Sequence, residues 1–195
     1  MYRIYGSTRS PFARIPRLFM IQHGIPFHFE VIDFLDSREE AARLASLTPI
    51  NKVPFLEDGA QIYYDSRVIM NHLMKKHEIP ALSADDENRV TAIYSLMDSL
   101  VHLFLMRRNG FDVDSPNVFI DRLKARVPAA LEFTRAWSAS LDPDRAEDWN
   151  YASMSLYAAL FWADARGLLK LADEPAHAAF LERFAKRPGI TETGF

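Results

Sequence analysis

Three short stretches carry residue types that could act together: Ser10-Pro11-Phe12, Lys52-Val53-Pro54 and Asp65-Ser66. Asp65-Ser66 stands where a helix is expected to begin, and so offers a carboxylate, a hydroxyl and the unpaired N–H groups of a first turn. That set suits the ammonium and carboxylate of a free amino-acid end. Val53-Pro54-Phe55 reads as a strand interrupted by a residue that cannot donate to a ladder. Pro54 is therefore expected where the ladder ends, after a cis bond, with the main chain of Val53 left to pair with something else. A site that reads extended backbone on one side and a zwitterion on the other fits a small peptide.

The elements that must position these residues can be read in order. Tyr2–Tyr5 is a short strand ending at Gly6, and Ser10-Pro11 then opens a helix, with serine as N-cap and proline at the first helical position. That helix stops at His23-Gly24. Phe27–Ile32 alternates as a strand does, and Ser37–Leu47 is helical, with Glu39 and Glu40 in its first turn. Lys52–Asn71 gives a strand, a turn at Asp58-Gly59, a second strand and a helix to about His77. Glu78-Ile79-Pro80-Ala81 has linker character. Beyond it, apolar residues from Val90 to Leu105 recur at helical spacing, to an end near Gly110. A further helix covers about 115–140, with Pro128 expected to bend or divide it. Tyr151–Ala163 is apolar nearly all round, the mark of a buried helix, with Asn150 as its cap. A last helix runs from Pro175 to Lys186.

Composition removes several classes of function. The 195 residues are 49% hydrophobic, enough for a packed core, and the net charge of -3 gives no reason to expect nucleic acid. Arg107-Arg108 and Lys75-Lys76 are isolated pairs that read as solvated faces. The absence of cysteine excludes disulfides, thiolate metal sites and a nucleophilic thiol of the protein's own. His72 and His77 are five apart, which is not an i, i+4 metal pair, and there is no Gly-x-Ser-x-Gly elbow or glycine-rich phosphate loop. Met1 leads straight into a strand, and no run approaches the ~20 apolar residues of a membrane span. A soluble cytoplasmic protein without metal or membrane partner is the expectation.

Over nearly its whole length the chain resembles cytosolic glutathione transferases. The resemblance is carried by YGSTRSPFARIPR at 5–17, TPINKVPFL at 48–56, DSRVIMNHL at 65–73, NYASMSLYAALFWADAR at 150–166 and FLERFAKRPGI at 180–190. Ser10-Pro11-Phe12 is similar to the tau and omega type start of the first helix, and the whole is most similar to bacterial proteins of the serine type. The implied fold is an α/β thioredoxin-like N-terminal domain plus an all-α C-terminal domain. The expected boundaries are 1–77 for the first, 78–86 for a linker and 87–195 for the second. The resemblance further implies glutathione as co-substrate and a two-fold homodimer packed through the helix after Asp65 and the long helix that comes next.

In that family the protein must stabilise a thiolate. Glutathione's thiol, like a free cysteine of pKa ~8.5, is mostly protonated at neutral pH. Lowering it by about two units takes ~2.7 kcal/mol. A hydrogen bond to a charged acceptor contributes roughly 1.5–3 kcal/mol and a helix N-terminus ~0.3–1. Ser10 supplies both, which implies that it stabilises the thiolate and does not attack. Ser10 also reads as a plain N-cap. Ser7 and Thr8 are alternative hydroxyls, Tyr5 lies too far back on its strand, and Arg9 is a candidate for an anionic group or a solvated loop residue. By position in the family pattern, Phe12 and Pro54 are among the glutathione-binding residues, Val53 pairs its backbone with the cysteinyl unit, and Lys52 lies near the glycyl carboxylate. Asp65 would hold the γ-glutamyl ammonium and Ser66 its carboxylate.

Three departures from the family pattern stand out. Pro16 inside the first helix is expected to kink it. The capping pair of the buried helix is Asn150 and Ser153, without the usual carboxylate that would bond back. Lack of cysteine argues against thiol-transfer reactions. A small hydrophobic electrophile is expected between the domains, lined by Phe12, by Tyr94, Met97, Asp98, His102 and Met106 on the long helix, and by Tyr157. Glutathione conjugation or displacement is thus the leading function, with glutathione-dependent peroxide reduction on the same site. The alternative from another class is a non-catalytic scaffold or regulator of transferase fold.

Overall fold

Strand β1 (Tyr2–Gly6) pairs in parallel with β2 (Phe27–Val31) and antiparallel with β3 (Phe55–Asp58), which pairs antiparallel with β4 (Gln61–Tyr64). The sheet order is β2-β1-β3-β4 in this computed structural model, which describes residues 1–194. Helices α1 (Pro11–Gln22), α2 (Arg38–Leu47) and α3 (Ser66–Lys76) complete the α/β part. The register sets Tyr5 opposite Phe55, and these two side chains form one core with Ile32 and with Leu44 of α2. Alternation along a strand sends Ile4 and Gly6 to the other face. There a Cβ on Gly6 would stand 2.6 Å from Cβ of Ala13, so the glycine is what lets α1 lie this close to β1. This is the thioredoxin-like arrangement.

All further regular elements among the described residues are helical: α4 (Ala84–Arg108), α5 (Val118–Ser140), α6 (Tyr151–Ala165) and α7 (Pro175–Phe184), with short 3₁₀ turns at Ala146–Asp148 and Leu171–Asp173. By contacts the chain falls into two units, Met1–Ala81 with the residues from Lys186 on, and Leu82–Ala185. These limits differ at two points from the expected linker at 78–86 and helical domain at 87–195. Helix α4 already begins at Ala84, because Ser83 caps it by accepting from the N–H of Asp86 at 3.1 Å, with Asp85, Asp86 and Glu87 in the first turn. The other point is the return of 186–194 to the first unit.

That return is held by buried guanidinium groups. Arg14 of α1, 1% exposed, donates through Nε to Oγ1 of Thr193 at 3.0 Å and through Nη2 to the carbonyl of Ile190 at 3.0 Å. Arg17 lies 4.0 Å above the ring of Phe29 and donates to the carbonyl of Glu192 at 3.3 Å. Burial and the charge of Arg14 push the Arg17 guanidinium down to about 10, still charged at neutral pH. Hydrogen bonds to charged groups contribute roughly 1.5–3 kcal/mol each. The chain's last turns therefore clasp the helix that carries Ser10.

Neither interior proline divides its helix: α1 runs through Pro16 and α5 through Pro128. Pro16 is itself buried, so packing compensates the one backbone bond it cannot make. The cap of α6 is also complete. Oδ1 of Asn150 accepts from the N–H groups of Ala152 and Ser153, and the Ser153 hydroxyl accepts from the N–H of Asn150 at 2.9 Å. A hydroxyl thus makes the return bond that the sequence reading assigned only to a carboxylate. Helix α4 is long and apolar enough to cross a membrane by length and composition alone, but its apolar residues, Val90 to Leu100, are buried and it packs on α5 and α6.

Within the helical unit His177 of α7 is fully buried between Thr134 and Glu174. Its Nε2 is 3.1 Å from Oγ1 of Thr134 and its Nδ1 3.2 Å from Oε2 of Glu174, which also pairs with Arg135. Burial holds its pKa below the ordinary 6.5, outweighing the pull of Glu174 in the other direction. The folded state then resists a proton that the unfolded state takes up. The stability from neutral His177 is full above about pH 6.5 and is lost as pH falls toward the lowered folded value. Urea unfolding at several pH values is expected to show this loss in the native protein and a smaller one in His177→Gln; equal slopes would rule the contribution out.

Candidate functional site

All three stretches singled out in the sequence lie at one end of the sheet. Gly6 ends β1, Phe55 begins β3 and Tyr64 ends β4, and the register places Tyr5 and Tyr64 on either side of Phe55. The loop 7–10, Lys52–Pro54 and Asp65-Ser66 are therefore neighbours by topology.

Ser10 caps α1 with extended backbone at φ -90 and ψ 121. Its Oγ accepts from the N–H of Ala13 at 3.2 Å, and its carbonyl accepts from the N–H of Arg14 at 3.1 Å. The cap uses a lone pair and leaves the hydroxyl hydrogen without an acceptor among the described residues. It also engages the Ala13 N–H, and Pro11 has none, so the helix start offers its dipole more than the row of free donors expected. Ser7 differs in just this respect. It is 8% exposed, donates its hydrogen to Oδ1 of Asp33 at 2.8 Å and accepts from the N–H of Arg9 at 3.2 Å. Thr8 is half-buried, with no side-chain bond among the described residues. Arg9 is tied to Asp36 and lies 3.7 Å from Asp33, and the Asp36 hydrogen bond raises its pKa, so existing carboxylates hold this cation. Tyr5 is stacked on Phe55 at 4.3 Å in the core, and Phe12 is half-buried.

The Val53-Pro54 bond is cis and β3 begins only after it, as the sequence suggested. Among the described residues neither the N–H nor the C=O of Val53 has a backbone partner, whereas the Pro54 carbonyl accepts from the N–H of Asp65 at 3.3 Å. That bond joins the second stretch to the third. Lys52 is exposed and forms no ion pair among the described residues.

Asp65 caps α3, accepting from the N–H of Arg67 at 2.8 Å, and is exposed while Ser66 is 1% exposed. Its backbone, at φ 74 and ψ 139, lies in a region that side chains avoid. Such a conformation costs of order 1–3 kcal/mol and is a mark of positions kept for function. No sequence signal announces it, since Asp-Ser before a helix is ordinary capping chemistry.

Of the other residues expected around a substrate, Tyr94, Met97 and Tyr157 are buried, as core residues at helical spacing are. His102 is exposed with Nδ1 2.6 Å from the carbonyl of Asp98, and Met106 is half-buried. Among the described residues no group of three or more His, Asp or Glu is placed to share a metal ion. What the sequence reading missed is Asp33, which joins Ser7 and Arg9 across two loops and lies in no recognisable motif.

Residues 4–89 match the family described as glutathione S-transferase, N-terminal domain. Mouse glutathione S-transferase theta-3 is 30% identical over 77 residues, a match covering 40% of this chain and 32% of that protein. The chain thus aligns with about a third of the length of the theta-type relatives. A longer relation runs to maleylpyruvate isomerase of a Ralstonia species, 24% identical over 180 residues, 90% of this chain and 76% of that one. Among solved structures, a glutathione transferase family member from Pseudomonas fluorescens with bound glutathione superposes with a TM-score of 0.83 at 22% identity, covering 100% of this chain and 98% of that chain. This last likeness shows the fold. Residues 4–89 of this chain thus carry the glutathione S-transferase N-terminal domain.

Proposed function

We propose that the protein binds glutathione at this end of the sheet and stabilises its thiolate with the Ser10 hydroxyl and the start of α1. The observation that carries the reading is the contrast between two serines: the Ser7 hydrogen is engaged by Asp33, whereas Ser10 keeps a donor at a helix N-terminus. A hydrogen bond to the thiolate at roughly 1.5–3 kcal/mol and a dipole at ~0.3–1 meet the ~2.7 kcal/mol required for two pKa units. The open main chain of Val53 pairs with the cysteinyl unit, Lys52 neutralises the glycyl carboxylate, and Asp65 and Ser66 take the γ-glutamyl ammonium and carboxylate. The sulfur lone pair then forms a bond to an electrophilic carbon of a small hydrophobic substrate. A leaving group departs with the old bonding pair, or the electrons of a double bond move onto a conjugated acceptor.

The long relation to an isomerase favours a second reading of the same site. Addition of the thiolate to an activated double bond, rotation and expulsion would isomerise a substrate and leave glutathione unchanged. Consumption of glutathione separates the two reactions. The reading also includes a two-fold homodimer through α3 and α4. Ile62 on β4 and Val68 on α3, 41% and 48% exposed, are large apolar side chains suited to a contact of that kind. Sedimentation at the mass of one chain would remove it.

Calorimetric titration with glutathione at neutral pH is expected to show sub-millimolar to low-millimolar binding that disappears in Asp65→Ala, a range typical of weak ligand sites. No binding by the native protein would put the scaffold reading first. Ser10→Ala is expected to lower turnover at least ~10-fold with little change in glutathione affinity, consistent with loss of ~1.4 kcal/mol or more in the thiolate alone. Equal loss of both would reduce Ser10 to a cap. Asp65→Gly separates strain from structure. It is expected to abolish binding while matching or exceeding native stability by up to ~1 kcal/mol, because glycine tolerates this backbone and costs only a few tenths as a cap.

A further inference from the structure

We propose that Asp33 is a positioning residue for Ser10, acting through the hydroxyl of Ser7; this rests on the reading of Ser10 as the group that stabilises the thiolate. Asp33 comes directly after Ile32, which is fully buried and donates its N–H to the carbonyl of Gly6 at 3.0 Å, so the carboxylate is anchored beside the end of β1. Ser7 has a single hydroxyl hydrogen. Donated to Asp33 at 2.8 Å, it fixes the rotation of the hydroxyl and turns a lone pair toward the N–H of Arg9, 3.2 Å away. The same residue's carbonyl accepts from the N–H of Ser10 at 3.1 Å. The main chain of residues 7–10 is thereby closed into one turn by the side chain and the carbonyl of Ser7. Ser10 leaves that turn with the extended backbone that an N-cap requires. A second tie reaches the same loop, since Arg9 pairs with Asp36 and lies 3.7 Å from Asp33.

The consequence concerns one atom. A thiolate that accepts from Ser10 needs Oγ within a few tenths of an ångström, and catalytic groups lose effect steeply when their support is loose. Without Asp33 the Ser7 hydroxyl is free to rotate, the Arg9 N–H loses its partner for part of the time, and the start of α1 frays. Glutathione binding rests on Lys52, Val53, Asp65 and Ser66, none of which touches Asp33, so affinity and thiol acidity part company.

The test is the pKa of the bound glutathione thiol, read from thiolate ultraviolet absorbance against pH, with the glutathione Kd and kcat measured on the same preparations. Asp33→Ala and Ser7→Ala are each expected to raise the thiol pKa by about one unit and lower kcat at neutral pH ~10-fold, with Kd within about two-fold of native. Asp33→Asn keeps an acceptor for Ser7 and is expected to recover most of both. If Asp33→Ala fails to fold, Ser7→Ala carries the same comparison. A native thiol pKa in Asp33→Ala or in Ser7→Ala overturns the inference, and so does an Asn variant no better than the Ala one. A native protein that binds glutathione without acidifying its thiol refutes the Ser10 reading before any Asp33 variant is measured.

Discussion

A helix begins with N–H groups that no earlier carbonyl can satisfy, and two such beginnings shape this protein's candidate site. At α1 the deficit is met by Ser10, and at α3 by Asp65. Each side chain keeps capacity beyond the cap: a hydroxyl hydrogen at Ser10, and a carboxylate with several acceptor positions at Asp65. The third part of the site is a deficit left open, the main chain of Val53 ahead of the cis proline. The requirement that backbone polar groups find partners thus both ends the secondary structure here and leaves polar groups with spare capacity at this end of the sheet.

The same requirement explains why the far end of the chain matters. Arg14 and Arg17 lie on the buried side of α1, where charged groups without acceptors would cost several kcal/mol. Main-chain carbonyls at Ile190 and Glu192, with the hydroxyl of Thr193, provide acceptors for Nε and Nη2 of Arg14 and for Nη2 of Arg17. Gly189 takes a left-handed φ of 87 where this segment meets Leu18 and Ile21 of α1. Helix α1 is therefore held from the sheet through the Gly6–Ala13 approach and from behind by residues 186–194.

The helical unit is built on different physics. Helix α6 is apolar nearly all round, so its polar groups must be satisfied locally, and Asn150 and Ser153 do this reciprocally. Ser155 in mid-helix bonds back to the carbonyl of Tyr151 at 2.7 Å, which removes its hydroxyl from the unsatisfied groups. Around α6 lie Trp149, Phe180 and Phe184, a cluster of rings in which packing and not hydrogen bonding supplies most of the stabilisation.

Much of this was legible in the residues. Alternation in Phe27–Ile32, proline at the first helical position after Ser10, and helical spacing from Val90 to Leu105 follow from local periodicity, and they determined the order of elements and the class of each domain. The cis proline and the caps at Ser10, Asp65 and Asn150 were readable too, because they depend on neighbours a few residues away. Other features were decided only by the tertiary structure: the return of 186–194 to α1, the unfavourable backbone of Asp65, the burial of Met97 and Tyr157, and the bond from Ser7 to Asp33. Each arises from groups distant in sequence competing for the same space or the same proton. The choice between Ser7 and Ser10 as free donor is of this kind, since two serines three positions apart are chemically alike until an acceptor 26 residues away engages one of them.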